Sequence, residues 1–338
     1  MSQDRYSRQR LFVPIGKEGQ NKIKQKHVLL IGVGALGTSN AEQLVRAGIG
    51  KLTIVDRDYV EWSNLQRQQL FTEDDAHSRI PKVVAAERKL REINSEVTIE
   101  AHIMDVQREE IESLIPGTDL VLDATDNFDV RLLVNDACQK YRVPWIYGGC
   151  VGSHGMSYTI IPGKTPCLHC LLESVPLGGA TCDTVGVIGP AVQMVTAHQG
   201  AEALKILVED QEALFGKLIT FDVWNHQYTG MKVNRIQRAD CPSCGMERTY
   251  PFLSPENQAK SAVLCGRDTV QIRPSRKMDR DLDDLRASIH EGQVEQNPFL
   301  LSFEIGDHRM VFFKDGRVLV HGTKDITEAR RMYHKVLG

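Results

Sequence analysis

The stretch HVLLIGVGALG at residues 27–37 joins a short apolar run to three glycines, Gly32, Gly34 and Gly37. The following TSNAEQLVRAG carries apolar side chains at helical spacing and ends in Gly48. Next, KLTIVDRD is typical of a short strand, with Asp56 at its end. A strand, a glycine turn, a helix and a second strand in this order predict a β-α-β unit with two parallel strands.

The same alternation continues to about residue 150. Strands are predicted at 97–103, 119–125 and 144–149, and helices at 17–26, 81–94, 107–115 and 128–142. Later, GMSYTIIPG and KLITFDVWNHQYTGMKVNRI predict strands that extend the sheet in antiparallel fashion, with a helix at 190–209 between them. We therefore expect an α/β fold, a doubly wound, Rossmann-like and mostly parallel sheet with helices on both faces.

A length of 338 residues is typical of about two domains. A change in composition near Pro251 predicts a first domain at 1–250 and a small α+β domain at 251–338. In the second, HRMVFFKDGRVLVHG predicts a hairpin that turns at Asp315 and Gly316, and KDITEARRMYHKVLG predicts an amphipathic helix. The sequence does not show what this domain binds.

Composition excludes several classes of protein. There are 41 basic and 44 acidic residues, a net charge of −3, so the basic footprint of a nucleic-acid-binding protein is absent. No apolar run reaches the ~18 residues of a membrane-spanning helix, and the charged N-terminus has no secretory signal pattern. We expect a cytoplasmic protein, in which the eight cysteines are metal ligands, catalytic thiols or buried side chains rather than disulfides.

The glycine loop predicts a nucleotide site. Glycines allow a tight turn and let backbone N–H groups approach a phosphate at the start of a helix. Asp56, at the end of the next strand, is placed to accept hydrogen bonds from ribose hydroxyls. The pattern alone does not separate NAD from ATP, and a tight turn without a ligand is the simpler alternative.

The segment DRDYVEWSNLQRQQLF favours ATP. The dry pocket of a nicotinamide-dependent enzyme does not require Asn64, Arg67 and Gln68 in this loop. A nucleotidyl-transfer site does require such residues, because the charge of the triphosphate must be neutralised in the transition state. Lys82, which follows Pro81 at a predicted helix start, is a further cation for the phosphates. The alternative is a solvated polar helix.

Acidic residues follow another predicted strand in DATDNFDVR. Asp123, Asp126 and Asp129 lie at its carboxyl end, where ligands bind in open α/β sheets. A carboxylate there can hold Mg²⁺ against phosphate oxygens. The alternative for Asp126 is an N-cap of the next helix.

The cysteines fall into two kinds. Cys167, Cys170, Cys241 and Cys244 form two C-x-x-C pairs of the kind that bind tetrahedral zinc, although the gap between the pairs exceeds that of a zinc ribbon. Redox chemistry and buried free thiols are the alternatives, and His169 inside the first pair is interpreted as a bystander. Cys182, in PLGGATCDTVG, lies in a predicted flexible loop, where a thiol can accept an acyl group or pass sulfur.

Several motifs occur together in one order: RYSRQ, GVGALG, VDRDYVEWSNLQRQ, PK, DATDN, the two cysteine pairs and TCDTVGVIGP. Over residues 4–248 the chain thereby resembles the ubiquitin-activating-enzyme superfamily, and within it the MoeB/ThiF adenylyltransferases. The resemblance implies that ATP adenylates the C-terminal Gly-Gly carboxylate of a ubiquitin-like sulfur carrier, of MoaD or ThiS type, with release of pyrophosphate. It further implies Mg²⁺, a structural Zn²⁺ on the four cysteines, and a homodimer, with a cysteine desulfurase as a candidate partner.

The resemblance also assigns residues. Asp56 goes to the ribose, Asn64, Arg67 and Lys82 to the phosphates, Asp126 to Mg²⁺, and Arg8 to the ATP of a partner subunit. Cys182 matches a cysteine used for acyl or persulfide chemistry in some members. The nucleotide site as a whole is expected to comprise Gly32, Gly34, Ala35, Gly37, Asp56, Asp58, Ser63, Asn64, Arg67, Gln68, Lys82, Asp126 and Asn127. Ala35 stands where the family often has glycine, and its methyl group fits if the backbone there is helical.

Three other functions stay open at this stage. A nicotinamide-dependent oxidoreductase would share the glycine loop and Asp56, but Arg67 and Asp126 argue against it. A catalytically silent binding module would show no ATP turnover. Within the superfamily, a tRNA-modifying adenylating dehydratase is disfavoured by the two cysteine pairs and Cys182. The sequence does not decide between carriers of the molybdopterin and thiamine pathways.

Overall fold

The structure, a computed structural model, describes residues 4–174, 185–254, 261–263, 268–273, 278–289 and 293–337. The chain forms two compact units. The first consists of Met1–His77 and Pro81–Asn257, and the second of Ser78–Ile80 and Gln258–Gly338.

The first unit contains an α/β sheet with its helices. Its helices are α1 (Ser7–Leu11), α2 (Gly16–Ile23), α3 (Ala35–Ala47), α4 (Glu73–His77), α5 (Lys82–Ile93), α6 (Arg108–Leu114), α7 (Phe128–Tyr141), α8 (Leu168–Ser174) and α9 (Gly189–Leu207). Its strands are β1 (His27–Ile31), β2 (Lys51–Asp56), β3 (Thr98–Ile103), β4 (Leu120–Asp123), β5 (Trp145–Val151), β6 (His154–Ile160), β7 (Leu218–Asp222) and β8 (Gln227–Met231). The short helices α1, α4 and α8 were not predicted from the sequence.

The sheet of this unit has the strand order β3-β2-β1-β4-β5-β6-β7-β8. The first five strands in this order pair in parallel and the last three are antiparallel, so the predicted extended Rossmann-like sheet is confirmed. In register, Ile31 of β1 lies between Val55 of β2 and Asp123 of β4. The loops that follow these three strands therefore leave the sheet side by side at its carboxyl edge.

Helix α9 joins this edge to the helix that follows the glycine loop. Its buried Gln199 donates a 2.9 Å hydrogen bond to the carbonyl of Asp123 and accepts a 2.7 Å bond from Asn40 of α3. Gly148 of β5 permits this approach, since a Cβ at that position would lie 2.4 Å from the Gln199 amide. Buried amides thus fix α3 and α9 to the end of β4.

The second unit contains an antiparallel sheet of order β11-β12-β13-β14-β10-β9. Its elements are β9 (Ser261–Val263), β10 (Thr269–Ile272), α10 (Leu282–Ser288), β11 (Val294–Gln296), β12 (Leu300–Ile305), β13 (His308–Phe313), β14 (Val318–His321) and α11 (Ile326–Leu337). The predicted hairpin joins β13 to β14, and the predicted C-terminal helix is α11. The core contains Phe303 and Phe312, stacked at 5.9 Å between ring centroids. Strands β9 to β11 and helix α10 were not predicted.

Ser78–Ile80 belong to the second unit through polar contacts within it. The Asn297 amide donates to the carbonyls of Ser78 and Arg79 at 3.0 and 3.2 Å, and the Arg79 guanidinium pairs with Glu295. The assignment of Ser78–Ile80 to the second unit was not predictable from the sequence, because the segment is far from residues 294–297 along the chain.

Candidate functional site

The glycine loop lies at the carboxyl end of β1. Gly32 has a φ of +90°, and a Cβ there would lie 2.5 Å from the carbonyl oxygen of Ala124. A Cβ on Gly37 would lie 2.1 Å from the Gly32 carbonyl oxygen, so both positions exclude a side chain. Ala35 is the first residue of α3, the helical position at which its methyl group is tolerated. The N-terminus of α3, whose first backbone N–H groups have no partner within the helix, follows directly on the glycine loop.

Gly34 and Gln68 face each other beside this helix start. Among the described residues, a Cβ at Gly34 would meet only the Gln68 amide nitrogen, at 3.7 Å, so these residues leave space above the backbone. Gln68 is 4% exposed, and its buried Oε1 has no hydrogen-bond partner among the described residues. A buried amide oxygen without a partner is costly, and a bound polar ligand would relieve that cost.

Asp56 joins the glycine loop to the end of β2. Its carboxylate accepts hydrogen bonds from the backbone N–H groups of Val33, at 2.6 Å, and Asp58, at 2.7 Å. Burial raises the pKa of Asp56, while the charge of Lys82 opposes this shift. The carboxylate is thus fixed by the backbone where a ribose would lie in this fold.

Lys82 and Asp58 form a buried pair next to Asp56. Lys82 is 3% exposed and begins α5. Its backbone N–H donates to the Asp58 carbonyl at 2.9 Å, and its Nζ lies 3.4 Å from Asp58 Oδ2. The ammonium group therefore pairs with Asp58, and its charge also lowers the pKa of the neighbouring Asp56 carboxyl.

The SNLQRQ segment forms a short 3₁₀ turn at Trp62–Asn64. Asn64 is 1% exposed, and its side-chain oxygen accepts from the Glu61 N–H at 3.1 Å in a capping box. Arg67 donates to the Ser63 carbonyl at 2.8 Å. Asn64 and Arg67 therefore each use some of their hydrogen bonds to stabilise the turn itself.

Asp126 follows β4 with its side chain exposed. In the described part of the chain it makes no hydrogen bond and no ion pair. The N-cap of α7 is Asn127, whose side chain accepts from the Asp129 N–H at 2.8 Å, so the alternative of Asp126 as the N-cap is wrong. The Asp126 carboxylate is free to bind a cation, whereas Asn127 is occupied by the helix.

Two arginines close to this edge were missed by sequence reasoning. Arg57 pairs with the buried Asp105 at 3.1 Å, and Arg131 pairs with the buried Asp123 at 3.0 Å. Burial opposes both charges, but the neighbouring carboxylates, Asp126 among them, raise the pKa of each arginine. Both arginines could have been suspected from the sequence, because they stand in VDRD and DNFDVR, within the two segments already assigned to the site.

Arg8 is the second residue of α1. Its side chain is exposed and has no ion pair within the described residues. The following residues Leu11, Phe12 and Val13 are apolar and 69%, 60% and 90% exposed. No hydrogen bond connects Arg8 to the nucleotide-site residues of its own chain.

The four cysteines of the C-x-x-C pairs converge. Their sulfur atoms lie within 4.8 Å of one another, with Cys167 to Cys241 at 3.7 Å and Cys170 to Cys244 at 3.6 Å. All four are buried. Hydrogen bonds from Cys167 and Cys244 lower the pKa of Cys170. Sulfur separations near 3.7 Å match the edges of a tetrahedron with metal–sulfur bonds of about 2.3 Å, so the residues fit Zn²⁺.

His169 points away from this cluster. Its ring nitrogens face the Ser243 hydroxyl at 3.1 Å and the Glu173 carboxylate at 3.4 Å. Cys182, the proposed acyl or sulfur acceptor, lies outside the described residues. Among the helices that are described, we find none that combines the length and apolar character needed to cross a membrane.

Comparison with known proteins identifies relatives. The ThiF family model matches residues 6–243. A sulfur carrier protein ThiS adenylyltransferase of Bacillus subtilis is 52% identical over 337 residues, covering 99% of each chain. The molybdopterin-synthase adenylyltransferase of Salmonella typhimurium is 35% identical and covers 71% of this chain and 96% of its own. The solved structure of E. coli MccB has a TM-score of 0.63 at 23% identity, covering 73% and 74% of the two chains, which shows a shared fold.

Proposed function

The chain belongs to the ThiF family, and from this membership we infer that it uses ATP to adenylate the C-terminal Gly-Gly carboxylate of a ubiquitin-like sulfur-carrier protein. It is a nucleotidyltransferase of the sulfur-carrier adenylyltransferase type. The observation that carries this conclusion is 52% identity over 337 residues to a ThiS adenylyltransferase. The oxidoreductase, dehydratase and silent-module alternatives are not favoured by these relatives.

The nucleotide site supports this reaction. The backbone of Gly32–Gly37 and the start of α3 would bind the phosphates, and the Asp56 carboxylate, which already accepts from Val33, would accept from the ribose hydroxyls. Gln68, with its orphaned buried Oε1, faces the same space. Asn64 keeps an amide hydrogen for a phosphate oxygen, and Arg67 and Lys82 supply positive charge. We assign the ATP site to these residues.

The exposed Asp126 carboxylate is the residue that would hold Mg²⁺, because carboxylate oxygen is the ligand this ion prefers. When bound, Mg²⁺ supplies charge neutralisation at the phosphates. The chain itself positions the reactants. The carrier carboxylate is already ionised, so it attacks the α-phosphorus without a general base, the bond to the pyrophosphate oxygen breaks, and pyrophosphate leaves. Arg67 and Lys82 stabilise the charge that develops on the phosphate oxygens.

The carrier is proposed to be of ThiS type. The B. subtilis relative matches 99% of this chain, and the ThiS adenylyltransferase of E. coli is 35% identical over 73% of it. The molybdopterin-synthase relative covers 71%. Of these three relatives, only the B. subtilis enzyme matches the chain over a length that includes the second unit, and it is a ThiS adenylyltransferase. The reaction then belongs to sulfur delivery for thiamine.

A homodimer with shared active sites is proposed from Arg8 and its surroundings. Arg8 is exposed and makes no ion pair among the described residues, while the neighbouring Leu11, Phe12 and Val13 leave an apolar surface uncovered. A second copy that covers this surface would also receive Arg8 at its own nucleotide. Cys182 is proposed to act after adenylation, with a cysteine desulfurase as the source of sulfur.

The function is tested by ATP–pyrophosphate exchange with purified carriers. We expect exchange with a ThiS-type carrier, weaker exchange with a MoaD-type carrier, and none with a carrier that lacks its C-terminal Gly-Gly. Exchange in the absence of any carrier would point to a different acceptor. Failure with both carriers, together with AMP formation on another substrate, would contradict the proposed function.

A further inference from the structure

Arg131 of α7 is a buried cation at the centre of the carboxyl edge, 6% exposed. Its Nε donates to Asp123 Oδ2 at 3.0 Å, and its Nη2 donates to the carbonyls of Thr125, at 2.6 Å, and Gly148, at 2.9 Å. Its guanidinium also lies 5.0 Å from the ring centroids of Phe128 and Tyr147. The guanidinium is therefore held by three acceptors and two rings.

These contacts converge on Thr125. Its backbone N–H and its hydroxyl donate to Asp123 Oδ1 at 2.9 and 2.7 Å, while its carbonyl accepts from Arg131. The carbonyl of Thr125 and the N–H of Asp126 belong to one planar peptide group. Fixing that carbonyl therefore fixes the direction in which the chain enters Asp126.

Stability alone is a weak reason for such an arrangement. Desolvation of two buried charges offsets much of their attraction, and apolar side chains of similar volume often replace a buried ion pair without loss. The guanidinium instead acts on a polar turn that no apolar residue could hold. Burial lowers the pKa of Arg131, and the charge of Asp123 raises it. The charge of Asp126 is a further cause that raises the pKa of Arg131.

We propose that Arg131 is a positioning residue for nucleotide binding: through the Thr125 carbonyl it sets the Asp126 carboxylate in the orientation that binds the metal–triphosphate. This inference rests on the proposed function, because it requires that ATP with Mg²⁺ binds at Asp126. Arg131 itself does not touch the nucleotide.

A double-mutant cycle tests the inference. The probe is AMPCPP, whose α,β-methylene bridge prevents reaction, and its affinity is measured by calorimetry with and without Mg²⁺. Arg131→Lys keeps the charge but cannot reach three acceptors at once. We expect it to reduce the Mg²⁺-dependent gain in affinity about tenfold in the wild-type background and less than about twofold when Asp126 is already Asn, since the two residues then act through one interaction.

Leu133→Ala on the same helix is the matched control. Leu133 is 7% exposed in the core, so its removal lowers thermal stability without touching the Thr125 turn. The control should keep the full Mg²⁺-dependent gain. An equal loss from Arg131→Lys in both backgrounds, or no loss in either, would overturn the proposal.

A second variant serves if Arg131→Lys does not fold. Thr125→Val removes the hydroxyl bond to Asp123 and keeps the side-chain shape, so a smaller loss that also vanishes in the Asp126→Asn background is expected. Equal losses in the two backgrounds would again contradict the inference. Wild-type protein that does not bind AMPCPP at all would instead show that the proposed function is wrong.

Discussion

The backbone N–H of Val33 donates a 2.6 Å hydrogen bond to the Oδ2 of Asp56, so the glycine loop and the end of β2 are joined at one carboxylate. The same carboxylate accepts from the N–H of Asp58. Asp56 is thereby fixed in position by the backbone, so under the proposed function a ribose would bind to an acceptor whose position is already determined.

Asp56→Asn should weaken ATP binding about ten- to a hundredfold, because hydrogen bonds to a charged acceptor contribute about 1.5–3 kcal/mol. Calorimetric titration with ATP measures the change. The matched control is Asp119→Asn, since Asp119 also accepts a backbone N–H, from His27 at 2.8 Å, but lies at the amino edge of the sheet. Equal weakening in both variants would show that the effect is structural and not local to the nucleotide.

The four converging thiols should hold one Zn²⁺ per chain, with Zn–S distances of about 2.3 Å. Cys244→Ser should release the metal and lower the midpoint of thermal unfolding, because α8 and residues 241–244 lose their crosslink. Elemental analysis and calorimetry provide the two readouts. Cys138→Ala, at a buried cysteine outside the cluster, should keep the zinc. Wild-type protein that is free of metal and equally stable after chelation would rule out a structural zinc.

Arg8 should act in the active site of the other subunit. Arg8→Ala chains and Asp126→Asn chains should each be inactive alone, and a mixture should regain up to about a quarter of wild-type exchange, since each mixed dimer has one complete site. Arg8→Ala mixed with a chain that carries both substitutions should stay inactive. An inactive first mixture, under conditions of demonstrated subunit exchange, would place Arg8 in its own subunit or outside the mechanism.

Cys182→Ala should leave ATP–pyrophosphate exchange near wild type and abolish formation of the carrier thiocarboxylate. The reason is that a thiolate at this position would attack the acyl adenylate after it has formed, with AMP as the leaving group. Mass spectrometry of the carrier measures the product, and a thiol-sensitive adduct with the carrier should disappear on non-reducing gels. Cys150→Ala is the control at another cysteine. Thiocarboxylate formed at full rate by Cys182→Ala would exclude the covalent role.

The hydrogen bonds of Asp222 should make the free energy of unfolding depend on pH in the acidic range. Hydrogen bonds from Ser153 and Asn225, both 2.7 Å, hold the pKa of Asp222 below its ordinary value of 3.8. A lowered pKa in the folded state contributes stability that is fully present above the ordinary value and is lost as the pH falls toward the lowered one. The gap in unfolding free energy between wild type and Asp222→Asn should therefore shrink as the pH falls below about 4.

Urea titrations at several pH values measure this gap. Asp74→Asn is the control, because the exposed Asp74 side chain accepts no hydrogen bond within the described residues. A gap between wild type and Asp222→Asn that widens in acid would mean that the carboxylate is not stabilised in its charged form.

The sequence by itself determined the central fold and the location of the glycine loop. Alternating strands and helices, glycines between β1 and α3, and an acidic residue after β2 are patterns of neighbouring residues, and local backbone preferences decide them. The same holds for the hairpin at Asp315 and Gly316. The two C-x-x-C pairs were visible in the sequence as candidate metal ligands. The family resemblance added the type of reaction, since several motifs occur together in one order.

Only the tertiary structure decided which distant residues meet. Cys167 and Cys241 lie 3.7 Å apart although a long segment separates them, and no local pattern encodes that distance. The segment DNFDVR did not show that Arg131 turns inward to hold Thr125, because an arginine on a helix is usually exposed. Asp126 and Asn127 both have side chains that suit a helix cap, and only the path of the chain after β4 showed that Asn127 caps α7.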